Sequence, residues 1–200
     1  MVTKRTTLAV VHNGTGEPIL AASLVHKYSE NYKNKKEWTV IRRGETGEPL
    51  TVEFNTGALT TGRDWWIVAW YSPDMKTLHY SAPENFREVV DGLEEIAPAT
   101  IGAAAASAGA AIAAESGELA LPVSTALVAA AQATTNKLLN TESTDGFKQH
   151  MLRSEDEGKV TTISISNEVT FTSESGVSRT NFQKKSAYCW IRETTIGHHN

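Results

Sequence analysis

The residues of this 200-residue chain best suited to chemistry are aromatic and basic. Trp65, Trp66 and Trp70 fall within Asp64–Tyr71, and Trp38, Tyr28 and Tyr32 stand upstream of them. An indole or phenol at a surface offers an apolar face and a polar tip, which suits a sugar face, a choline head group or the membrane–water interface. Lys33, Lys35 and Lys36 precede Trp38, and Arg42 and Arg43 follow it. A small basic loop flanked by aromatics would face anionic lipid or phosphate, each charge being worth roughly 1 kcal/mol near such a surface. These aromatic and basic residues are the candidate ligand-binding set. The plainer alternatives are a strand covered on both faces, which buries the indoles, and a solvated loop, which leaves the lysines idle.

Catalytic patterns are not found. The six histidines are scattered: His12 and His26 on strands, His79 at a strand end, His150 after the helices, and His198 and His199 near the end of the chain. No HExxH, CxxC, GxSxG or phosphate-loop string occurs. Asp64 reads as a turn acceptor, and Glu94 and Glu95 as a solvated helix face. No catalytic residue, metal ligand or cofactor is expected, so the chain is expected to bind rather than to turn a substrate over.

Nineteen basic against twenty-three acidic side chains leave a formal net charge of -4. Without an excess positive field, nucleic acid is not an expected partner. Cys189 is the one cysteine, and Met1-Val2-Thr3-Lys4-Arg5 leads into alternating Thr and aliphatics, not into a continuous apolar run. A cytoplasmic protein of one domain, residues 1–200, is expected.

The elements that must position these residues come in three blocks. From residue 6 to 81 the apolar period is two, with strands expected at Thr6–His12, Ile19–Lys27, Glu37–Arg42, Pro49–Phe54, Asp64–Tyr71 and Met75–Ser81. Turns are expected at Asn13-Gly14-Thr15-Gly16 and Ser72-Pro73-Asp74. In Asp64–Tyr71 both phases are apolar, as in a strand buried on both sides. Ser81-Ala82-Pro83-Glu84 has capping-box spacing, and a helical insertion over residues 82–140 is expected to follow. Over residues 141–185 the period returns to two, with a strand pair joined near Ser166 and Asn167. The polar tail from Ser173 holds one apolar patch, Tyr188-Cys189-Trp190-Ile191, and reads either as a late strand or as a remnant outside the fold, the tail proper being residues 186–200. The fold class expected is α+β, an antiparallel β-sandwich with an Ala-rich helical insertion between early and late strands.

Between Ala97 and Ala133, alanine supplies 17 of 37 residues, which strongly favours helix. A hairpin of two helices broken at Glu115-Ser116-Gly117-Glu118 is expected. Ile96–Ala114 and Leu119–Asn136 are charge-free and long enough to span a bilayer. The first has only Ile96, Ile101 and Ile112 as strong apolar residues, at roughly 0.3–0.6 kcal/mol each, so constitutive insertion is not expected. Two readings stay open: a close-packed helix pair laid on the sheet or on another subunit, which allows a homo-oligomer, and conditional insertion as oligomers.

Several motifs occur together in order: Trp38, Asn55-Thr56-Gly57, Gly62-Arg63-Asp64-Trp65-Trp66, Asn85-Phe86-Arg87, Ala97-Pro98, the Ala-rich stretch, Gly146-Phe147-Lys148-Gln149-His150 and Arg153. Over about Thr6 to Arg179 the chain resembles the "up-regulated in Daf" domain family, which has many fungal members. That label records expression in long-lived nematode mutants and carries no catalytic residues over. More loosely, the first half looks like the β-sandwiches of actinoporins, aegerolysins and fungal fruit-body lectins. This likeness implies recognition of membrane lipid head groups in a cytolysin-like manner, or of glycans in a lectin-like one. A self-associating stress or defence protein without a small ligand is the third reading.

Overall fold

Strand Asp64–Tyr71 is covered on both faces in the computed structural model, and the rest of the architecture is arranged around it. The structure describes residues 1–29, 31–58, 60–82, 93, 96, 98–113, 121–141 and 144–187. The strands are β1 (Thr3–Asn13), β2 (Ile19–Tyr28), β3 (Tyr32–Ile41), β4 (Leu50–Thr56), β5 (Asp64–Tyr71), β6 (Thr77–Ser81), β7 (Lys148–Gln149), β8 (Val160–Ile165), β9 (Val169–Ser173), β10 (Gly176–Thr180) and β11 (Phe182–Ser186). Among the described residues two helices, α1 (Pro98–Ala113) and α2 (Leu121–Asn140), lie between β6 and β7. The expected α+β sandwich with an inserted helical pair is the observed fold.

One sheet runs β10-β9-β8-β1-β4 and the other β11-β6-β5-β2-β3, with β7 pairing β5. Among the described residues all strand pairings are antiparallel except β1 with β8, where Leu8 lies opposite Val160 and Asn13 opposite Ile165. A parallel pair needs a long crossover, and here it contains both helices. The insertion therefore leaves the sandwich after β6 and returns to it at β7, which pairs β5, before β8 joins β1.

Alternation along β5 explains its cover. Trp66, Val68 and Trp70 point between the sheets, into a core with Phe54, Ile163 and Phe171. Ile67, Ala69 and Tyr71 point the other way, into a second core with Leu127, Ala130 and Leu138 of α2. A three-layer stack of sheet, sheet and helices results. In β2 a bulge between Leu20 and Ser23, with Ala21 at φ 44, turns both Leu20 and Ala21 toward the helices.

Helix α2 buries Val123, Leu127, Ala130, Thr134 and Leu138, a stripe of one face, against the sheet. Ser23 Oγ donates to Ala131 O at 3.0 Å, and Tyr71 Oη lies 3.2 Å from Thr134 Oγ1. Alanine lets the backbone come close enough for a strand hydroxyl to reach a helix carbonyl. Helix α1 lies against α2 and buries Ile101, Ala104 and Ala108. Among the described residues no helix is long and apolar enough to cross a membrane.

Three expectations change. First, β3 begins at Tyr32 and not at Glu37, because its lysines sit in an edge strand, where charged side chains are tolerated and block edge pairing. Second, β6 begins at Thr77, since Met75 has φ 58 in the preceding turn. Third, the returning strands number four beyond β7, because β10 and β11 pair at sheet edges, where one exposed face removes the apolar alternation. The turn at Asn13 holds as expected, with Asn13 Oδ1 accepting from Thr15 N–H and Thr15 Oγ1 at 3.0 and 2.7 Å. The capping box after Ser81, the hairpin break at residues 115–118 and the patch at residues 188–191 lie outside the described residues.

Candidate functional site

Trp38 stands near the end of β3, where the chain turns through residues 42–48 before entering β4. Its indole Nε1–H donates to Glu48 O at 3.1 Å, and the ring is 8% exposed. Gly47 backs the ring: a Cβ there would lie 2.5 Å from Trp38 Nε1, so a side chain cannot fit without moving the indole. A cleft of about 470 Å³ opens beside this ring. Strand β3 contributes Glu37, Trp38 and Thr39 to it, the loop contributes Thr46 and Glu48, and α2 contributes Gln132. That volume is in the range of small-ligand sites, roughly 300–1,000 Å³.

Charge in the cleft is balanced. Lys36 Nζ bonds Glu48 Oε2 at 3.2 Å. Lys35 Nζ donates to Asn136 Oδ1 at 3.3 Å and lies 3.6 Å from Glu37 Oε1. Glu37 Oε1 is buried and has no hydrogen-bond partner among the described residues. Lys35 offsets the charge of this buried acceptor but at 3.6 Å leaves its hydrogen bond unmade, a place for a second donor. Carboxylate, amide and hydroxyl groups beside an indole are the functional groups that bind hydroxyls while a ring covers an apolar face.

The structure separates the other sequence candidates. Tyr28 is 1% exposed, its hydroxyl donating to Asn55 O at 3.1 Å, and Tyr32 donates to Asn55 Oδ1 at 3.2 Å. Trp66 has no exposure, and its Nε1–H donates to His150 O at 2.9 Å. Trp70 is 3% exposed and stacks on His79, with ring centroids 5.2 Å apart. Trp65 is half-buried on the helix side. No shared aromatic platform forms, because alternation sends Trp66 and Trp70 between the sheets and Trp65 away from them.

The basic residues form no single loop patch either. Lys33 and Lys35 lie opposite Lys27 and Val25 of β2, while Lys36 alternates to the other face and reaches Glu48. Arg42 and Arg43 lie beyond the end of β3, where Arg42 N–H donates to Glu45 Oε2.

Two polar groupings escape sequence reading. His26 Nε2 and Asp64 Oδ1 are 2.9 Å apart with no exposure, and Asp64 Oδ2 accepts from Leu152 N–H at 2.9 Å. Asp64 is thus a buried clamp across three segments and not a turn acceptor. His150 places Nδ1 3.0 Å from Ser178 Oγ and Nε2 3.2 Å from Ser173 Oγ. Burial lowers its pKa, against the raising effect of Asp156 and Asp64. Asp156 is raised by burial but held below its ordinary value overall by hydrogen bonds from Ser175 and from Arg153 N–H. The partners in these groupings are far apart in sequence, and no spacing motif announces them.

No curated protein matches the chain at a significant level. A family-profile match runs from Thr3, the first residue of β1, through both described helices to Phe182, the start of β11. On it, the chain belongs to the family described as Up-Regulated in long-lived daf-2, whose profile matches residues 3–182.

Proposed function

We propose that this chain is a cytoplasmic binding protein, without turnover, that recognises a hydroxyl-rich head group in the cleft beside β3. The group is carried either by a membrane lipid or by a free glycan, and the recognition chemistry is common to both. The observation that supports this reading is the juxtaposition of the Trp38 ring with Glu37, Glu48, Thr39 and Gln132 in one cleft, with the buried Glu37 Oε1 ion-paired to Lys35 Nζ at 3.6 Å but making no direct hydrogen bond among the described residues. Sugar hydroxyls would donate to the carboxylates and accept from the Gln132 amide, while the indole covers a ring face. The cleft lies against α2, so head-group binding would bring the helical pair to a lipid surface in a cytolysin-like manner.

The test has two arms. A glycan array reads binding to free glycans, and flotation with phosphatidylcholine vesicles, with and without phosphatidylinositol or a glycolipid, reads lipid-borne head groups. Glu37→Gln and Gln132→Ala should each weaken the positive arm several-fold with little change in melting temperature. Failure of both arms, or unchanged binding by both variants, refutes the reading.

A further inference from the structure

A second cleft, of about 340 Å³, lies where the β1–β2 loop meets the β5–β6 turn. It shares no lining residue with the cleft at Trp38. Its walls are mainly apolar, from Pro18, Ile19, Trp70, Tyr71 and Pro73, with the imidazole of His79 at one side. Among the described residues Glu17 is the one carboxylate in the lining, and neither lysine nor arginine contributes. An anion would meet Glu17 and a cation would lose water against apolar walls, so the cleft suits a neutral molecule. Its volume is at the small end of ligand pockets and admits a compact ring system but not a chain segment of a macromolecule.

The polar feature here is His79. One face of its ring stacks on Trp70, with an interplanar angle of 12°, and Phe182 lies against it at 5.6 Å. Its Nδ1 is buried and has no hydrogen-bond partner among the described residues. Rotation about Cβ–Cγ exchanges Nδ1 with Cδ2 and leaves the stack in place, so the ring can offer that nitrogen to an occupant. Burial, reinforced by Lys184, lowers the pKa of His79 to about 4, which leaves the ring neutral and able to accept a hydrogen bond near pH 7.

We propose that the cleft formed by the β1–β2 loop, the β5–β6 turn and His79 is a second binding site, for a neutral ring compound carrying one hydrogen-bond donor, of the indole or phenol class. The apolar walls hold the ring and His79 accepts from the donor. This goes beyond the head-group reading and does not depend on it.

Indole is the probe, and its 1-methyl derivative lacks the donor. In heteronuclear NMR spectra of the full chain, indole should shift the Trp70 indole N–H and the Gly16 amide saturably and leave the Trp38 indole N–H in place. 1-Methylindole should bind roughly tenfold more weakly, the effect of one lost hydrogen bond to a buried acceptor. Gly16 lines the cleft, and a Cβ added there meets no atom within 4 Å, so Gly16→Phe adds a bulky ring at the cleft wall with no clash at its Cβ. That variant should melt like the parent and lose the shifts. His79→Phe keeps an aromatic ring in the stack and should bind the two compounds equally. Absence of saturable shifts at Trp70, equal affinity of the parent for the two probes, or full binding by Gly16→Phe overturns the proposal.

Discussion

His26 Nε2 and Asp64 Oδ1 stand 2.9 Å apart on neighbouring strands, and neither side chain reaches solvent. The other ring nitrogen, Nδ1, lies 3.2 Å from Asn34 Oδ1, and that oxygen also accepts from Glu53 N–H. One imidazole therefore links β5, β2, β3 and β4. Asp64→Ala strands two buried groups, His26 Nε2 and Leu152 N–H. At about 1–3 kcal/mol for each group left unpaired, the loss is on the order of 2–6 kcal/mol. A denaturant melt that shows less than about 1 kcal/mol of loss would refute the clamp.

Helix contacts give a contrast within one turn of α1. Ala104 and Ala108 are buried against the rest of the helical layer, whereas Ala106 is exposed. Leucine at either buried site overpacks the contact and should cost about 1–3 kcal/mol. At Ala106 it should change stability by no more than about 0.5 kcal/mol. Thermal melts of the three variants check this, and equal midpoints would mean that α1 does not pack as described.

Trp38 is held in place from behind. Gly47→Ala puts a methyl group into the indole, which must shift and loosen its bond to Glu48 O. The expected cost is about 1–3 kcal/mol, together with a change in tryptophan fluorescence and loss of head-group binding. Gly44→Ala is not the matching control, because its φ of 75 strains any side chain. Gly16→Ala is, having open space around it. Retained binding and stability in Gly47→Ala would exclude the tight backing.

Two histidines set a pH dependence of known sign. In the unfolded chain an imidazole takes its proton near 6.5, but folded His79 does so only near 4, chiefly because of burial. Between these values the unfolded state binds more protons, so stability rises with pH, and it is lost as pH falls from about 6.5 toward 4. Burial lowers His150 as well, which adds a slope of the same sign. Partial exposure of the His79 ring screens part of its share. His79→Phe should flatten the fall in melting temperature between pH 6.5 and 4.5, and an unchanged profile would assign the slope elsewhere.

Much of the architecture follows from local pattern. Alternation of Trp66, Val68 and Trp70 with Trp65, Ile67 and Tyr71 states that β5 is covered on both faces, because residues one apart on a strand face opposite ways. Alanine content states that residues 98–113 and 121–140 are helical. Asn13 and Asp74 announce their turns, since each short polar side chain accepts from the backbone N–H two residues on. These are properties of neighbouring residues, which a sequence carries directly.

The site follows from no such pattern. Glu48 and Gln132 join Trp38 from a loop and from α2, and His150 meets Ser173 and Ser178 across the end of the sandwich. A strand period tells which face a side chain takes but not what lies across from it. That depends on strand order, here on the parallel pairing of β1 with β8 and on α2 lying over β2 and β3. The same aromatic and basic residues could have formed a surface platform under another topology. In this one, packing buries Trp66 and Trp70 and leaves Trp38 at the wall of a cleft.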